Sequence, residues 1–432
     1  MKHGVAVIGA VVLALAAHGA QAKTLEEVLK EKGVITEADY QDVIKSAPKS
    51  KPVDYKLGSG FSFTSPDEKY QLTIGGQVQT RYTFTEKGGN GTTNVSEWKI
   101  PRARTFFSGY FLTKDLTFKS NQDWAALNNY NSTNNSNTSK VLLETFVNYR
   151  IVDEAQIRVG QDKVQFSRQY ITSTSQNEFV DNSFVTIAFA PTYDTGLSAF
   201  GSIGKGLFTY SAAWLGGRGQ NVVSSTNNNA YNIRLTANPF GELFYSEADI
   251  QGSTKPLLAF GTSYYHDSVK IANGTVENNN LGYLGSNGWL TKSTGTFTGT
   301  QNINVQQFEV DAAFKWQGLA LQGEYFWGQA TSSASSSQNA ISRGFYVQAG
   351  YLIVPKTVEL AIRYNWLDYN VYKPDSLKSE IQWAASWYVE GHNLKLQADL
   401  TKSYVQQYAD SRALAGSGVN DTIIRAQAQI LF

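Results

Sequence analysis

The chain has 432 residues, with 37 Lys and Arg against 36 Asp and Glu and no cysteine. Near-zero net charge argues against nucleic acid as a partner, and the lack of cysteine excludes a disulfide framework or a thiolate metal site. Beside only 9 Pro stand 37 Gly, 24 Tyr, 23 Phe and 9 Trp, a density of aromatics in an otherwise polar chain that suits two membrane interfaces.

Lys2 is followed by an uncharged run from Gly4 to Ala17 and then by small residues at Ala20 and Ala22. This pattern predicts a secretory signal peptide over 1–22, because the run is too short to cross roughly 30 Å of hydrocarbon as a helix. Lys2 is the only charge in that stretch, so basic and acidic residues balance in the remainder.

Residues 23–60 read as a periplasmic helical segment and linker. Leu25, Val28 and Leu29 recur at helical spacing, Thr36 and Asp39 form a candidate cap ahead of Tyr40, Val43 and Ile44, and Pro48 and Pro52 mark the linker.

From residue 61 to 432 the period is two. Tyr70, Leu72, Ile74, Val78, Tyr82 and Phe84 share one face, while Gln71, Thr73, Gln77, Gln79 and Arg81 share the other. Apolar toward lipid and polar toward water is the alternation of a transmembrane antiparallel up-and-down β-barrel, so the fold class is all-β. The same template places strands near 70–84, 98–111, 116–123, 141–150, 156–164, 194–203, 206–215, 231–238, 257–267, 305–315, 318–327, 342–353, 357–367, 377–389, 393–401 and 422–432. Sixteen is an even number, as a barrel with both ends on one side requires.

Connections alternate between short turns, such as 112–115 and 354–356, and long Asn-, Ser- and Gly-rich loops at 124–140, 165–193, 268–304 and 402–421. The stretch 239–256 breaks the alternation, being long where a short turn is due, and a register slip or an extra element is expected there. At the end of the chain Ile424, Ala426, Ala428, Ile430 and Phe432 lie on one face. In a soluble sheet such a strand would be an exposed edge, whereas a barrel closes it against the first strand. Outward Tyr82, Phe84, Trp366, Trp383 and Trp387 read as an interfacial girdle.

With these strands in place, the stretch Ile157-Arg158-Val159-Gly160-Gln161-Asp162-Lys163-Val164-Gln165-Phe166-Ser167-Arg168-Gln169-Tyr170 resembles the phosphate-selective porin family, the porins O and P. Gly344-Phe345-Tyr346-Val347-Gln348-Ala349-Gly350-Tyr351-Leu352 and His392-Asn393-Leu394-Lys395-Leu396 carry the same resemblance. It implies a sixteen-stranded porin in the outer membrane of a Gram-negative bacterium, usually a homotrimer in the lipid bilayer, with a pore that prefers small anions such as phosphate.

A passive pore needs a constriction whose charges replace part of an ion's hydration without holding it too tightly. Loop 165–193 is the candidate, with Lys163, Ser167, Arg168, Tyr170, Glu178 and Asp181 as pore-constriction and anion-binding residues. Arg and Lys offer charge-assisted hydrogen bonds to oxyanions, and Arg168 is expected to matter most. Along the lumen wall the alternation places Arg81, Arg102, Arg104 and Arg158 inward, with Arg425 on the last strand as a remote wall residue. The same arginines could instead pair with inward acids such as Glu309, Asp311 and Asp399 and serve the wall alone.

No cofactor or metal is expected. A barrel enzyme needs a general base beside a nucleophile. Outside the leader only His266 and His392 are available, and the strand map separates them. A non-selective general porin is the other alternative, since the lumen wall is mixed in sign.

Overall fold

The computed structural model describes residues 29–46, 53–89, 92–128, 130–131, 136–137, 140–222, 227–272, 274–276, 281–335, 337–414 and 416–432. The chain divides into two compact units, Met1–Lys51 and Pro52–Phe432. In the first, α1 spans Glu37–Ser46. Its start is made as the sequence suggests: Asp39 Oδ2 accepts the Thr36 N–H at 2.9 Å, and Thr36 Oγ1 accepts the Asp39 N–H at 3.2 Å. The leader expected over 1–22 lies outside the described residues.

The second unit is a closed antiparallel sheet whose sixteen wall strands follow one another in chain order. They are β1 (Tyr70–Glu86), β2 (Val95–Phe111), β3 (Thr113–Asp123), β4 (Leu142–Val152), β5 (Ala155–Lys163), β6 (Tyr193–Ile203), β7 (Phe208–Leu215) and β8 (Ala230–Ala237). The remainder are β9 (Leu257–Ala272), β10 (Thr300–Trp316), β11 (Leu319–Ser332), β12 (Asn339–Val354), β13 (Val358–Asp368), β14 (Leu377–Glu390), β15 (Leu394–Gln406) and β16 (Gly418–Leu431). All sixteen expected strands are present. Several run further at the long-loop end, β9 reaching Ala272 and β10 starting at Thr300, because strand pairing continues after the lipid-facing stretch is complete. Among the described residues no helix is long and apolar enough to cross a membrane.

The faces are inverted relative to a soluble protein. On β10 the outward Phe308 and Val310 are exposed, while the inward Gln307, Glu309 and Asp311 are buried. Closure is made by β16 pairing with β1, Ile430 opposite Val78. Phe432 extends the ladder by exchanging hydrogen bonds with Gly76 at 2.8 and 3.0 Å. A Cβ at Gly76 would lie 2.5 Å from the Phe432 ring, so a larger residue there must displace that ring. An unpaired terminal strand has become a seam with no free edge.

Two findings correct the sequence reading. Within the segment expected to be helix and linker, Val53–Lys56 and Gly60–Thr64 form a hairpin. Its second arm pairs with β1, Phe61 opposite Ile74, so the sheet starts earlier than residue 61. The stretch 239–256 contains no extra strand: it turns into the lumen, where Glu247, Ala248 and Asp249 are buried. Lys315 Nζ holds it by donating to Ser246 Oγ at 2.6 Å and to the Ala248 carbonyl at 2.9 Å.

Much of the lumen is therefore filled by protein. The segment between β5 and β6 folds inward with two short helices, α2 (Arg168–Ile171) and α3 (Phe184–Phe189). It meets α4 (Trp289–Ser293) from the loop between β9 and β10. Phe189 stacks on Phe326 at 5.3 Å and on Trp289 at 6.0 Å, and the Trp289 indole N–H donates to Gln307 at 3.0 Å. These rings form an apolar core inside the barrel. Open space is left elsewhere, against the inner faces of β1 to β3 and of β5 to β8.

Candidate pore constriction

The larger open chamber, about 990 Å³, lies between the inward loop and the wall of β1 to β3. Its wall chemistry follows from the strand period. On β2, Arg102 and Arg104 project inward, and an irregularity at Ile100-Pro101, opposite Thr80, shifts the parity so that Lys99 pairs with the inward Arg81. Across the chamber the loop presents Asp181.

Asp181 is the centre of the electrostatics. Its carboxylate takes Arg81 Nη1 and Nη2 at 2.6 and 2.9 Å, Arg425 Nη1 at 3.1 Å and Arg102 Nη2 at 3.5 Å. Burial alone would raise this carboxyl, but the Arg81, Arg425 and Arg102 guanidiniums outweigh it and hold it well below the usual carboxylate range. The arginines are themselves positioned: Arg102 Nη1 donates to Gln79 at 2.7 Å, Arg81 Nε to Gln427 at 3.1 Å, and Arg104 Nε to Asp123 at 2.9 Å. Arg425 is braced by Asp399 at 2.7 and 2.9 Å.

Of the residues singled out from sequence, Arg81, Arg102, Arg104, Lys163, Tyr170 and Asp181 do line this chamber. Lys163 also has an anchoring part, its ammonium donating to the carbonyls of Tyr170, Ile171 and Thr172 at 2.8, 3.1 and 3.1 Å.

Four others are placed elsewhere. Ser167 is fully buried and caps α2 by accepting the Tyr170 N–H at 3.2 Å. Arg168, only 1% exposed, turns away from the chamber because a counter-charge awaits it inside: Asp311 lies 3.8 Å away and the Tyr245 ring 5.0 Å away. Glu178 faces the far wall, accepting Gln348 Nε2 at 3.0 Å, and burial together with Glu359 and Glu247 pushes its carboxyl well above the ordinary value. Arg158 is held by Asp162 and by the rings of Phe146 and Phe200 at 4.1 and 4.7 Å.

Sequence reasoning placed Arg425 inward but remote from the constriction, and missed Asp123 and Lys99. Barrel closure offered a signal for the nearness of Arg425, because Gln427 pairs with Arg81 once β16 is laid on β1, and that brings Arg425 to the same patch.

A closed sixteen-stranded barrel with an apolar exterior, a polar interior and an inward-folded loop narrowing the lumen is an outer-membrane porin, a channel protein of the Gram-negative outer membrane. The chain belongs to the family described as phosphate-selective porin O and P, whose model matches residues 72–432. An uncharacterised protein of Aquifex aeolicus (strain VF5) is 25% identical over 271 residues, which cover 58% of this chain and 60% of that one. The match thus spans less than two thirds of that relative's length.

Among solved structures, an anion-selective porin from Comamonas acidovorans aligns with a TM-score of 0.54 at 11% identity, covering 84% of this chain and 100% of that one. The outer membrane channel DcaP of Acinetobacter baumannii gives 0.54 at 12% identity, covering 87% and 100%. The trimer form of OmpT from Vibrio cholerae gives 0.52 at 9% identity, covering 83% and 99%. At these identities the likeness is one of fold.

Proposed function

We propose that the protein is an anion-preferring diffusion channel, assembled as a homotrimer, that passes phosphate and other small anions. The observation that carries this reading is the charge around the larger chamber: Arg81, Lys99, Arg102, Arg104, Lys140 and Lys163 line it against only Asp123 and Asp181. A narrow water-filled space walled by one dominant sign concentrates the opposite ion and disfavours its own. Arg102 and Arg104, two apart on one strand, give an oxyanion successive guanidinium donors. Asp181 tempers the site. By sharing its charge among three arginines it keeps them from holding a permeant anion too long.

The family's description and the anion selectivity of the Comamonas porin support the anion reading, and the trimer form of the Vibrio protein supports the assembly. The test is the reversal potential of single channels under a potassium chloride gradient. Arg102→Glu is expected to lower the chloride-to-potassium permeability ratio, and an unchanged ratio would show that the filter lies elsewhere. Assembly is read separately, from the migration of unboiled and boiled samples on a denaturing gel.

A further inference from the structure

A second chamber of about 300 Å³ lies on the inner wall of β5 to β8, under the inserted Tyr245. The two chambers share no lining residue. A space of about 10 Å³ that borders the first at Lys163 and the second at Asp162 and Gln165 has room for one water at most.

Their chemistries differ as well. The charges of the second chamber are internally matched: Arg158 pairs with Asp162, and Arg234 pairs with Glu309 at 3.0 Å and Asp311 at 2.5 Å. What remains facing the space is neutral and hydrogen-bonding, supplied by Gln156, Ser198, Ser202, Thr209, Ser211 and Thr236. Three of its polar atoms are buried without a hydrogen-bond partner, the hydroxyl of Ser211 and the Nε of Arg158 and of Arg234. Such groups cost free energy unless something pairs with them. On the same wall the Phe200 ring is half-buried and fixed by Arg158 at 4.7 Å, with Tyr245 on the other side of the space.

The geometry points to a binding site for a neutral polyhydroxylated solute of monosaccharide size, separate from the anion constriction. Hydroxyl and amide groups that both donate and accept are matched to a ligand that does the same at every carbon. The Phe200 ring offers an apolar surface to the C–H face of a pyranose. The chamber's volume falls at the lower end of small-ligand sites, roughly 300–1,000 Å³, and its matched charges select against ions.

The test is saturation-transfer difference NMR on the folded full-length protein in detergent, with methyl α-D-glucopyranoside as the probe. Saturable enhancement of the ring C–H protons is expected. Phe200→Ala should reduce it at least about fivefold, as loss of one ring's contact area implies. Thr209→Val, which keeps side-chain shape and removes a hydroxyl, should reduce it too and serves if the first variant fails to fold. Arg102→Gln should leave it intact. No saturable enhancement in the wild type, undiminished enhancement in both chamber variants, or its loss in Arg102→Gln would overturn the proposal. The chloride-to-potassium ratio is read on the same preparations, so a failure of the sugar site is distinguishable from a failure of the anion channel.

Discussion

Asp181→Asn is the most informative perturbation of the constriction. Asparagine keeps the shape of the side chain and can still accept from Arg81, so the loop stays in place while one negative charge is removed from among three guanidiniums at 2.6 to 3.5 Å. The formal charge of the lining side chains rises from +4 to +5. For an ion passing about 7 Å away at an effective dielectric near 20, that unit charge is worth about 2.4 kcal/mol. Screening over a Debye length of about 10 Å at 0.1 M salt halves this to about 1 kcal/mol. An anion gains this and a cation loses it, so the chloride-to-potassium permeability ratio should rise at least about fivefold. The assay is reversal potential in planar bilayers under a salt gradient, with heat-modifiable gel migration to establish that the barrel is folded. A folded variant whose ratio is unchanged or lower would refute the reasoning, because Asp181 would then not face the ion path.

The pH dependence follows from the same carboxylate. Its pKa in the folded protein is depressed, so its charge and the stability it contributes are present above the unfolded value of about 3.9 and are lost only as pH falls through the lower folded value. The difference in permeability ratio between wild type and Asp181→Asn should therefore stay constant from pH 7 to about 4 and close only in stronger acid; a difference that fades near pH 5 would contradict this. Arg168→Ala should weaken the fold, not the filter. It removes a buried cation from Asp311, which keeps Arg234 at 2.5 Å, so a loss of about 3 kcal/mol, at the lower end for a broken buried pair, should appear as earlier thermal unfolding at unchanged reversal potential. Gly76→Leu should impair closure of the barrel because its side chain would enter the space of the Phe432 ring, and wild-type levels of folded protein in the outer membrane would argue against that seam.

The wall of this barrel was legible along the chain because each strand states its own two faces. Whether a residue meets lipid or lumen depends on its neighbours one and two positions away, so sixteen strands, the inward Arg81, Arg102 and Arg104, and the closing strand ending at Phe432 could all be read locally. The capping pair Thr36 and Asp39 was legible for the same reason. What fills the lumen was decided only in three dimensions. Arg168 stands in the loop most like the porin family, but its direction is set by Asp311, on β10, and by Tyr245, on the segment that enters from the opposite end. Arg425 looked remote until β16 closed on β1 and brought it to Asp181, two hundred and forty-four residues away in the chain. A charge in a water-filled barrel takes the partner that folding brings within a few ångströms, and in a closed sheet that partner can come from any strand or loop, at a sequence separation that no local period encodes.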